Sequence, residues 1–111
     1  MLEDYKTPID PTKIRDKYIC LDVDGTLTSS VCFTEKDIKE SVPLEGMVEF
    51  VKELYKGNMI TIYTARRDSL IPATMEWLRR YNIPYHAISN LKITADLYID
   101  DKAVNAHYVL K

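Results

Sequence analysis

Residues 18–26 read YICLDVDGT. The first part of this stretch is short and almost continuously apolar, and the Asp-Gly pair near its end is a signal that breaks regular structure. Such a run is typical of a β-strand that is buried on both faces of a parallel sheet. Asp22 and Asp24 therefore stand at the carboxyl end of the first predicted strand. Gly25 is expected to turn the chain so that both carboxylates point into one place.

The segments that follow alternate between helical and strand patterns. The segment that Pro43 opens has apolar residues at helical spacing until the stop signal at Gly57-Asn58, and residues 59–63, MITIY, are typical of a second buried strand. A second helix is predicted after a cap at Asp68 or Ser69. A weaker pattern predicts a third strand over residues 84–88. A fourth strand is predicted over 97–99, followed by a closing helix over 103–110, and residues 28–42 are predicted to be a loop.

This order of elements predicts the fold class. Strands that alternate with helices form right-handed crossovers and a parallel sheet. We expect a Rossmann-like three-layer α/β sandwich with a small, mostly parallel sheet in residues 18–111, preceded by an extended arm in residues 1–17, where two prolines break any regular pattern. In such sheets ligands bind beyond the carboxyl ends of the strands.

Polar residues follow each of the strongly predicted strands. They are Asp22 and Asp24 after the first, Thr64 after the second, Lys92 in the loop before the fourth, and Asp100 and Asp101 after the fourth. Carboxylates that converge repel one another, and a hard divalent cation such as Mg²⁺ relieves this repulsion through oxygen ligands. A lysine and a hydroxyl group are suitable partners for a phosphate. The pattern predicts a site for magnesium and a phosphate ester, where one Asp attacks phosphorus and the other moves a proton.

These residues resemble the four motifs of the haloacid dehalogenase superfamily. Residues 22–26, DVDGT, match the first motif, Thr64 the second, Lys92 the third and Asp100-Asp101 the fourth, so the resemblance covers about residues 18–105. Dehalogenating members of that superfamily lack the second Asp of the first motif, and its presence here favours phosphoryl transfer.

The resemblance implies a role for each matching residue. Asp22 would be nucleophile and metal ligand, and Asp24 would be general acid–base and bind the metal through its backbone carbonyl. Thr64 and Lys92 would hold the transferring phosphoryl group, and Asp100 and Asp101 would complete the magnesium site. Four neighbours of the motifs are expected to contact substrate, namely Gly25, Thr26, Ala65 and Arg66, although an arginine such as Arg66 or Arg67 is more often an exposed surface charge.

Finer similarity favours one branch of the superfamily. Residues 62–66 and 95–103 resemble the small phosphatases of capsule biosynthesis, which implies a sugar phosphate or a polysaccharide intermediate as substrate. The gaps between the motifs, 24 to 64 and 64 to 92, are too short for an inserted cap domain. A capless site needs another cover, so a homo-oligomer is expected, with the flap (Val31–Phe33) as the contact between copies.

Composition excludes several other classes. The chain has 111 residues, a net charge of −2 and a pI of about 5.6, which argues against a broad nucleic-acid surface. No apolar run is long enough for a membrane span, and the first residues do not form a signal peptide, so a cytoplasmic protein is expected. Cys20 and Cys32 lie in apolar surroundings and are predicted to be reduced thiols.

Three alternatives compete with a sugar phosphatase. A signalling receiver domain has similar length and similar residues around a phospho-aspartate. A receiver, however, carries its acidic pair on the first strand, its phospho-acceptor on the third strand and its lysine near the end. In this chain DVDGT comes first, and the pair Asp100-Asp101 follows Lys92. A binding protein on the same fold would have lost turnover, whereas every catalytic position named above is filled. Within the enzyme class, the phosphate of a nucleotide or of a nucleic-acid end is the second candidate substrate.

Overall fold

A four-stranded sheet forms the centre of the molecule. The structure is a computed structural model that describes residues 9–91 and 93–100. The strands are all parallel and lie in the order β3-β2-β1-β4. Their bounds are Tyr18–Asp22 for β1, Met59–Tyr63 for β2, Ala87–Ser89 for β3 and Leu97–Ile99 for β4. The predicted α/β class with a small parallel sheet is confirmed.

The order of the strands changes direction between β1 and β4. The chain adds β2 and β3 on one side of β1, and then returns to place β4 on the other side. This arrangement matches the first four strands of the Rossmann order, 3-2-1-4, and differs from the receiver order, 2-1-3-4-5. The receiver alternative is therefore excluded by the topology of the described strands. The crevice at such a reversal is where this class of sheet binds ligands.

Three α-helices connect the strands of the described part of the chain. They are α1 (Glu35–Glu40), α2 (Met47–Tyr55) and α3 (Ile71–Arg80), and a 3-10 helix at Asp68–Leu70 leads into α3. The predictions of α2 and α3 are confirmed, but the cap predicted at Asp68 or Ser69 is wrong, because these residues lie in the 3-10 helix and α3 begins after Leu70 without a side-chain cap. The helix α1 lies in the segment that was predicted to be a loop. None of the helices in residues 9–91 and 93–100 is long and apolar enough to cross a membrane.

The hydrophobic core cluster of the described residues packs on one face of β1 and β2. Ile19 and Leu21 of β1 stand beside Ile60 and Ile62 of β2, and all four are at most 1% exposed. They share one cluster with the buried residues of the helices, which are Ile38, Val51, Leu54, Trp77 and Leu78.

The predicted burial on both faces is found in β1, where Ile19, Cys20 and Leu21 are at most 3% exposed, but it was overestimated for β2. Burial alternates along β2, and Tyr18 and Met59, paired at the amino ends of β1 and β2, are 62% and 48% exposed. The physical reason is that Ile60 and Ile62 face the cluster that the buried residues of the described helices join, whereas the other residues of β2 lie on the opposite face. The closing helix predicted over residues 103–110 lies outside the described residues.

The segment before β1 is fastened to α2 and β2. Residues 9–17, part of the predicted extended arm, include a 3-10 helix at Pro11–Lys13. Asn58 ties this segment down, since its side-chain amide donates to the carbonyl of Ile14 and its side-chain oxygen accepts from the backbone N–H of Lys17. The amino end of β1 is thereby held in place, at the edge of the sheet opposite Asp22.

Candidate functional site

Two carboxylates stand on either side of the reversal in strand order. Asp22 is the last residue of β1, and Asp100 follows the last residue of β4. Because Leu21 pairs with Ile99 in a parallel ladder, Asp22 and Asp100 are at the same level on neighbouring strands. Both residues are half-buried. The sheet therefore brings together two acidic residues that the sequence separates by 78 positions.

A tight turn follows β1 and fixes the direction of the chain. The carbonyl of Val23 accepts the backbone N–H groups of Thr26, Leu27 and Thr28, and the N–H of Gly25 donates to the carbonyl of Thr28 at 2.7 Å. Gly25 has φ +83°, a left-handed conformation that a side chain disfavours. The turn predicted from Gly25 is confirmed.

The same turn limits which groups of Gly25 and Thr26 can contact a substrate. Their backbone N–H groups are both used inside the turn, so these two predicted substrate contacts have no amide directed at a ligand. The buried hydroxyl of Thr26 instead donates to Oδ2 of Asp22 at 3.4 Å. In this structure Gly25 shapes the turn and Thr26 orients the carboxylate of Asp22.

The carboxylate of Asp24 is held by Arg66. The Nε of Arg66 donates to Oδ2 of Asp24 at 3.1 Å, and the Nη2 donates to Oδ1 at 2.7 Å. This is the bidentate geometry in which arginine binds carboxylates most strongly and most specifically. The side chain of Arg66 is 2% exposed and that of Asp24 is 20% exposed. The pair connects the end of β1 to the segment after β2.

Arg66 is held from its other side by helix α3. Its Nη1 donates to the hydroxyl of Thr74 at 2.8 Å, and that hydroxyl donates in turn to the carbonyl of Leu70. The interpretation of Arg66 as an exposed surface charge is wrong, because the guanidinium is buried between Asp24 and Thr74. Sequence reasoning missed Thr74 altogether, since a threonine inside a helical pattern gives no signal of such a contact.

Thr64 is placed at the same edge of the sheet. It follows β2 directly, is 1% exposed, and its backbone N–H donates to the carbonyl of Ser89. Its hydroxyl oxygen accepts the backbone N–H of Arg66 at 3.1 Å. That contact uses the oxygen as an acceptor, so the hydroxyl hydrogen can still be donated to a ligand. Thr64 therefore has the position and the chemistry expected of a phosphate contact.

A cavity of about 220 Å³ lies beside Asp24. The flap forms one wall, and the other residues that line the cavity are Ala65, Arg66, Arg67 and Leu70. Within the flap, Val31 and Phe33 are exposed whereas Cys32 is buried. We call this space the flap cavity. A larger depression of about 590 Å³ lies along α3 and Pro84, but none of the candidate catalytic residues lines it.

The buried thiol of Cys32 is unsuited to nucleophilic chemistry. Burial raises the pKa of the Cys32 thiol above its ordinary value of 9.0, although the positive charge of Arg66 acts in the opposite direction. A thiol of this kind stays protonated at neutral pH. Cys20 and Cys32 are both buried and are not joined in a disulfide, as the sequence predicts.

The acidic residues of the described chain fit magnesium only in part. Within residues 9–91 and 93–100, no group of three or more His, Cys, Asp or Glu side chains is arranged to hold a metal ion. Asp22 and Asp100 supply two adjacent carboxylates, which suits Mg²⁺ because this ion keeps several of its waters. The carboxylate of Asp24 is engaged by Arg66. Asp101 and Lys92, two further predicted site residues, lie outside the described residues.

The fold and the site together define a class of protein. It is a small Rossmann-like α/β domain with acidic residues at the strand ends that flank the reversal in strand order. No protein-family model matches the chain. A nucleotidase of Clostridium acetobutylicum is 28% identical, in an alignment that covers 79% of this chain and 72% of that protein.

Solved structures share the fold. A conserved protein of Bacteroides thetaiotaomicron superposes with a TM-score of 0.65 at 22% identity, over 81% of this chain and 79% of that chain. A chain of the Pnkp1/Rnl/Hen1 RNA repair complex superposes with a TM-score of 0.56 at 18% identity. The latter match covers 94% of this chain and 32% of that much longer one. At these identities the likeness concerns the fold.

Proposed function

We propose that this chain is a magnesium-dependent phosphomonoesterase of the haloacid dehalogenase type, with Asp22 as its nucleophile. The observation that carries the proposal is the position of Asp22 and Asp100 on either side of the reversal in strand order, where α/β sheets bind ligands. The similarity to a nucleotidase supports phosphate-ester hydrolysis in general. Thr64, at the end of the neighbouring strand, adds a hydroxyl for the phosphate.

The reaction has two steps that use the two aspartates of the first motif. An oxygen of Asp22 attacks phosphorus, the bond from phosphorus to the leaving oxygen breaks, and Asp24 gives that oxygen a proton. The product alcohol leaves and an aspartyl phosphate remains. Water then attacks phosphorus while Asp24 takes a proton from it, and the bond to Asp22 breaks to release inorganic phosphate.

Arg66 acts on this chemistry through Asp24 and is a positioning residue. A bidentate arginine uses two of the roughly four lone-pair sites of a carboxylate, so the other sites of Asp24 remain available for contact with the substrate. Because Thr74 anchors Arg66 to α3, the carboxyl group is fixed relative to the helix as well as to the turn. Such fixation serves proton transfer, which depends on hydrogen-bond distance between the donor and the leaving oxygen.

Magnesium would be held by the carboxylates of Asp22 and Asp100, with the backbone carbonyl of Asp24 and, through water, Asp101. When bound, the ion neutralises negative charge on the phosphate and on the carboxylates. Lys92 would assist by placing a positive charge next to the phosphoryl oxygens. These assignments rest on donor chemistry and on the resemblance of the four motifs.

Two substrate classes have support. The resemblance to capsule phosphatases favours a sugar phosphate, whereas the similarity to a nucleotidase favours a nucleotide. Turnover of a panel of phosphate monoesters distinguishes them, and inactivity toward the whole panel would favour a binding protein on this fold.

The role of Asp22 is tested by Asp22→Asn. We expect loss of more than 99% of the turnover of p-nitrophenyl phosphate, since the amide keeps the shape but loses the negative charge that attacks phosphorus. Mass spectrometry of acid-quenched wild-type protein should find one added phosphoryl group on the peptide that contains Asp22.

The matched control is Asp16→Asn at the opposite edge of the sheet. Asp16 has φ +59°, a conformation that asparagine also adopts, so this variant should keep full activity. Substantial turnover by Asp22→Asn, or equal losses in both variants, would contradict the proposed nucleophile.

A further inference from the structure

The flap cavity borders the group that is proposed to protonate the leaving oxygen. Asp24 lines this cavity together with the flap. In the proposed reaction the leaving group must lie next to Asp24 when its oxygen receives the proton. The part of the substrate beyond the phosphate is therefore directed toward the flap cavity, and the chemistry of its walls bears on which substrate fits.

The buried polar groups of the flap cavity are already engaged. Asp24 is bound to Arg66, and Arg66 is also bound to Thr74. Arg67 donates from Nη2 to the backbone carbonyl of Phe33 at 3.3 Å. The remaining walls are apolar side chains of the flap, Ala65 and Leu70. A polyol placed here would lose water from several hydroxyls and find a polar side chain mainly at the exposed Arg67, which is unfavourable.

Phe33 offers a large apolar surface that is fixed in place. Its side chain is among the most exposed of the large apolar residues in the described chain, at 68%. Its backbone is nevertheless held at both ends, because its N–H donates to Oδ2 of Asp37 at 2.9 Å and its carbonyl accepts from Arg67. An exposed aromatic ring on a restrained backbone is a ready surface for stacking with another flat ring.

We propose that the flap cavity takes the leaving group of the substrate and selects esters whose leaving group carries a flat aromatic ring. A nucleoside monophosphate is the biological ester of this chemistry, with its base stacked on Phe33. This inference rests on the proposed phosphatase function and gives its substrate class. It favours the nucleotide over the sugar phosphate that the sequence resemblance favours.

Adenosine 5′-monophosphate and ribose 5-phosphate form a matched pair for the test. Both are esters of a primary alcohol on the same sugar, and they differ by the base. We expect kcat/KM to be at least about tenfold higher for adenosine monophosphate, since stacking of one base on an aromatic side chain commonly contributes this much or more. Phe33→Ala should remove most of that advantage, so that the ratio of the two kcat/KM values falls toward one.

Tyr18→Ala is the control variant, because Tyr18 is 62% exposed but lies at the amino end of β1, far along the strand from Asp22. It should leave the ratio of the two substrates unchanged. A ratio near one in the wild type would overturn the inference. So would an equal loss of activity toward both substrates in Phe33→Ala; if light scattering then also showed a smaller particle, the flap would be a contact between copies.

A failure of the proposed phosphatase function can be distinguished from a failure of the inference about the flap cavity. If neither these two esters nor p-nitrophenyl phosphate and the rest of the panel are hydrolysed, the phosphatase proposal is wrong, and binding of adenosine monophosphate by isothermal titration calorimetry still tests the cavity. Binding by the wild type that is lost in Phe33→Ala would support the inference, and absence of binding by the wild type would overturn it.

Discussion

At the residue scale, the buried pair of Asp24 and Arg66 fixes the position of the proposed acid–base group of the site. A guanidinium that is 2% exposed has lost nearly all of its hydration and depends on its partners for compensation. Asp24 and Thr74 supply that compensation from two different elements. Breaking the pair is therefore costly, because the remaining charge is left without compensation, and the intact pair orients the proposed acid–base group.

The stability role predicts the effect of Arg66→Met. This change keeps the apolar stem but leaves Asp24 unpaired, and we expect a loss of about 3 kcal/mol in the free energy of unfolding, the low end for a broken buried pair because Asp24 is partly hydrated. The melting temperature should fall on the order of 10 °C. Thermal denaturation followed by circular dichroism measures this.

Arg67→Met is the matched control for that change. Arg67 is the next residue in the chain but is exposed, so its replacement should shift the melting temperature little. A similar small shift for both variants would show that the buried pair is not a source of stability.

The strand-end residues could be predicted from the sequence, but their partners could not. An apolar run closed by DVDGT fixes where β1 ends, so the place of Asp22 follows from the direction of a parallel strand. The contact of Arg66 with Thr74 depends on how α3 packs against the strand ends. No periodic pattern in the sequence indicates that packing, and the same sequence around Arg66 would also suit an exposed arginine.

At the element scale, α1 shows why a short helix is not predicted from the spacing of its apolar residues. It has six residues and one buried side chain, Ile38, which is too little for an apolar stripe. Its stability comes from the start of the helix instead. The hydroxyl of Thr34 accepts the N–H of Asp37, and the carboxylate of Asp37 accepts the N–H of Thr34, which together form a capping box.

The cap at Asp37 predicts a pH dependence. The hydrogen bond from the backbone of Phe33, together with those from Thr34, lowers the pKa of Asp37 below its ordinary value of 3.8. The charged form is therefore favoured in the folded state, and its stabilising effect is complete above pH 3.8 and is lost as the pH falls through the lowered pKa. Asp37→Asn should lower the melting temperature at pH 7, by a difference that narrows in acid.

Glu35→Gln provides the comparison for Asp37→Asn. Glu35 also lies in the first turn of α1, where a negative charge is favourable, but the capping bonds belong to Asp37. Thermal denaturation across the pH range should therefore give a smaller effect for Glu35→Gln. A constant difference between wild type and Asp37→Asn at all pH values would mean that the charge of Asp37 has no part in the cap.

At the scale of the whole molecule, the strand order joins the two halves of the candidate site. The prediction of a parallel sheet rested on alternating strands and helices, and the pairing of β1 with β4 confirms it. The sequence does not reveal that, among the described residues, β2 packs on the core cluster with one face, because β2 is apolar enough to suit burial on both. That outcome depends on which side of the sheet the crossovers pass.

The adjacency of β1 and β4 predicts a binding experiment. If Asp22 and Asp100 share a magnesium ion, Asp100→Asn should weaken Mg²⁺ binding at least tenfold by isothermal titration calorimetry, a measurement that needs no turnover. Asp16→Asn should bind Mg²⁺ as the wild type does. Equal affinities in all three proteins would place the ion elsewhere or exclude this site.

The hydrogen bonds that begin the β1–β4 ladder join Tyr18 to Asp96, across 78 positions of the chain. Closing so large a loop is slow relative to local folding, and it requires both segments to be outside the ribosome. A growing chain can form β1, β2 and their helices long before Asp100 exists. The site at the reversal in strand order is therefore assembled only after Asp100 has been synthesised, so a growing chain that has not reached this residue has no paired carboxylates with which to capture metal or ester.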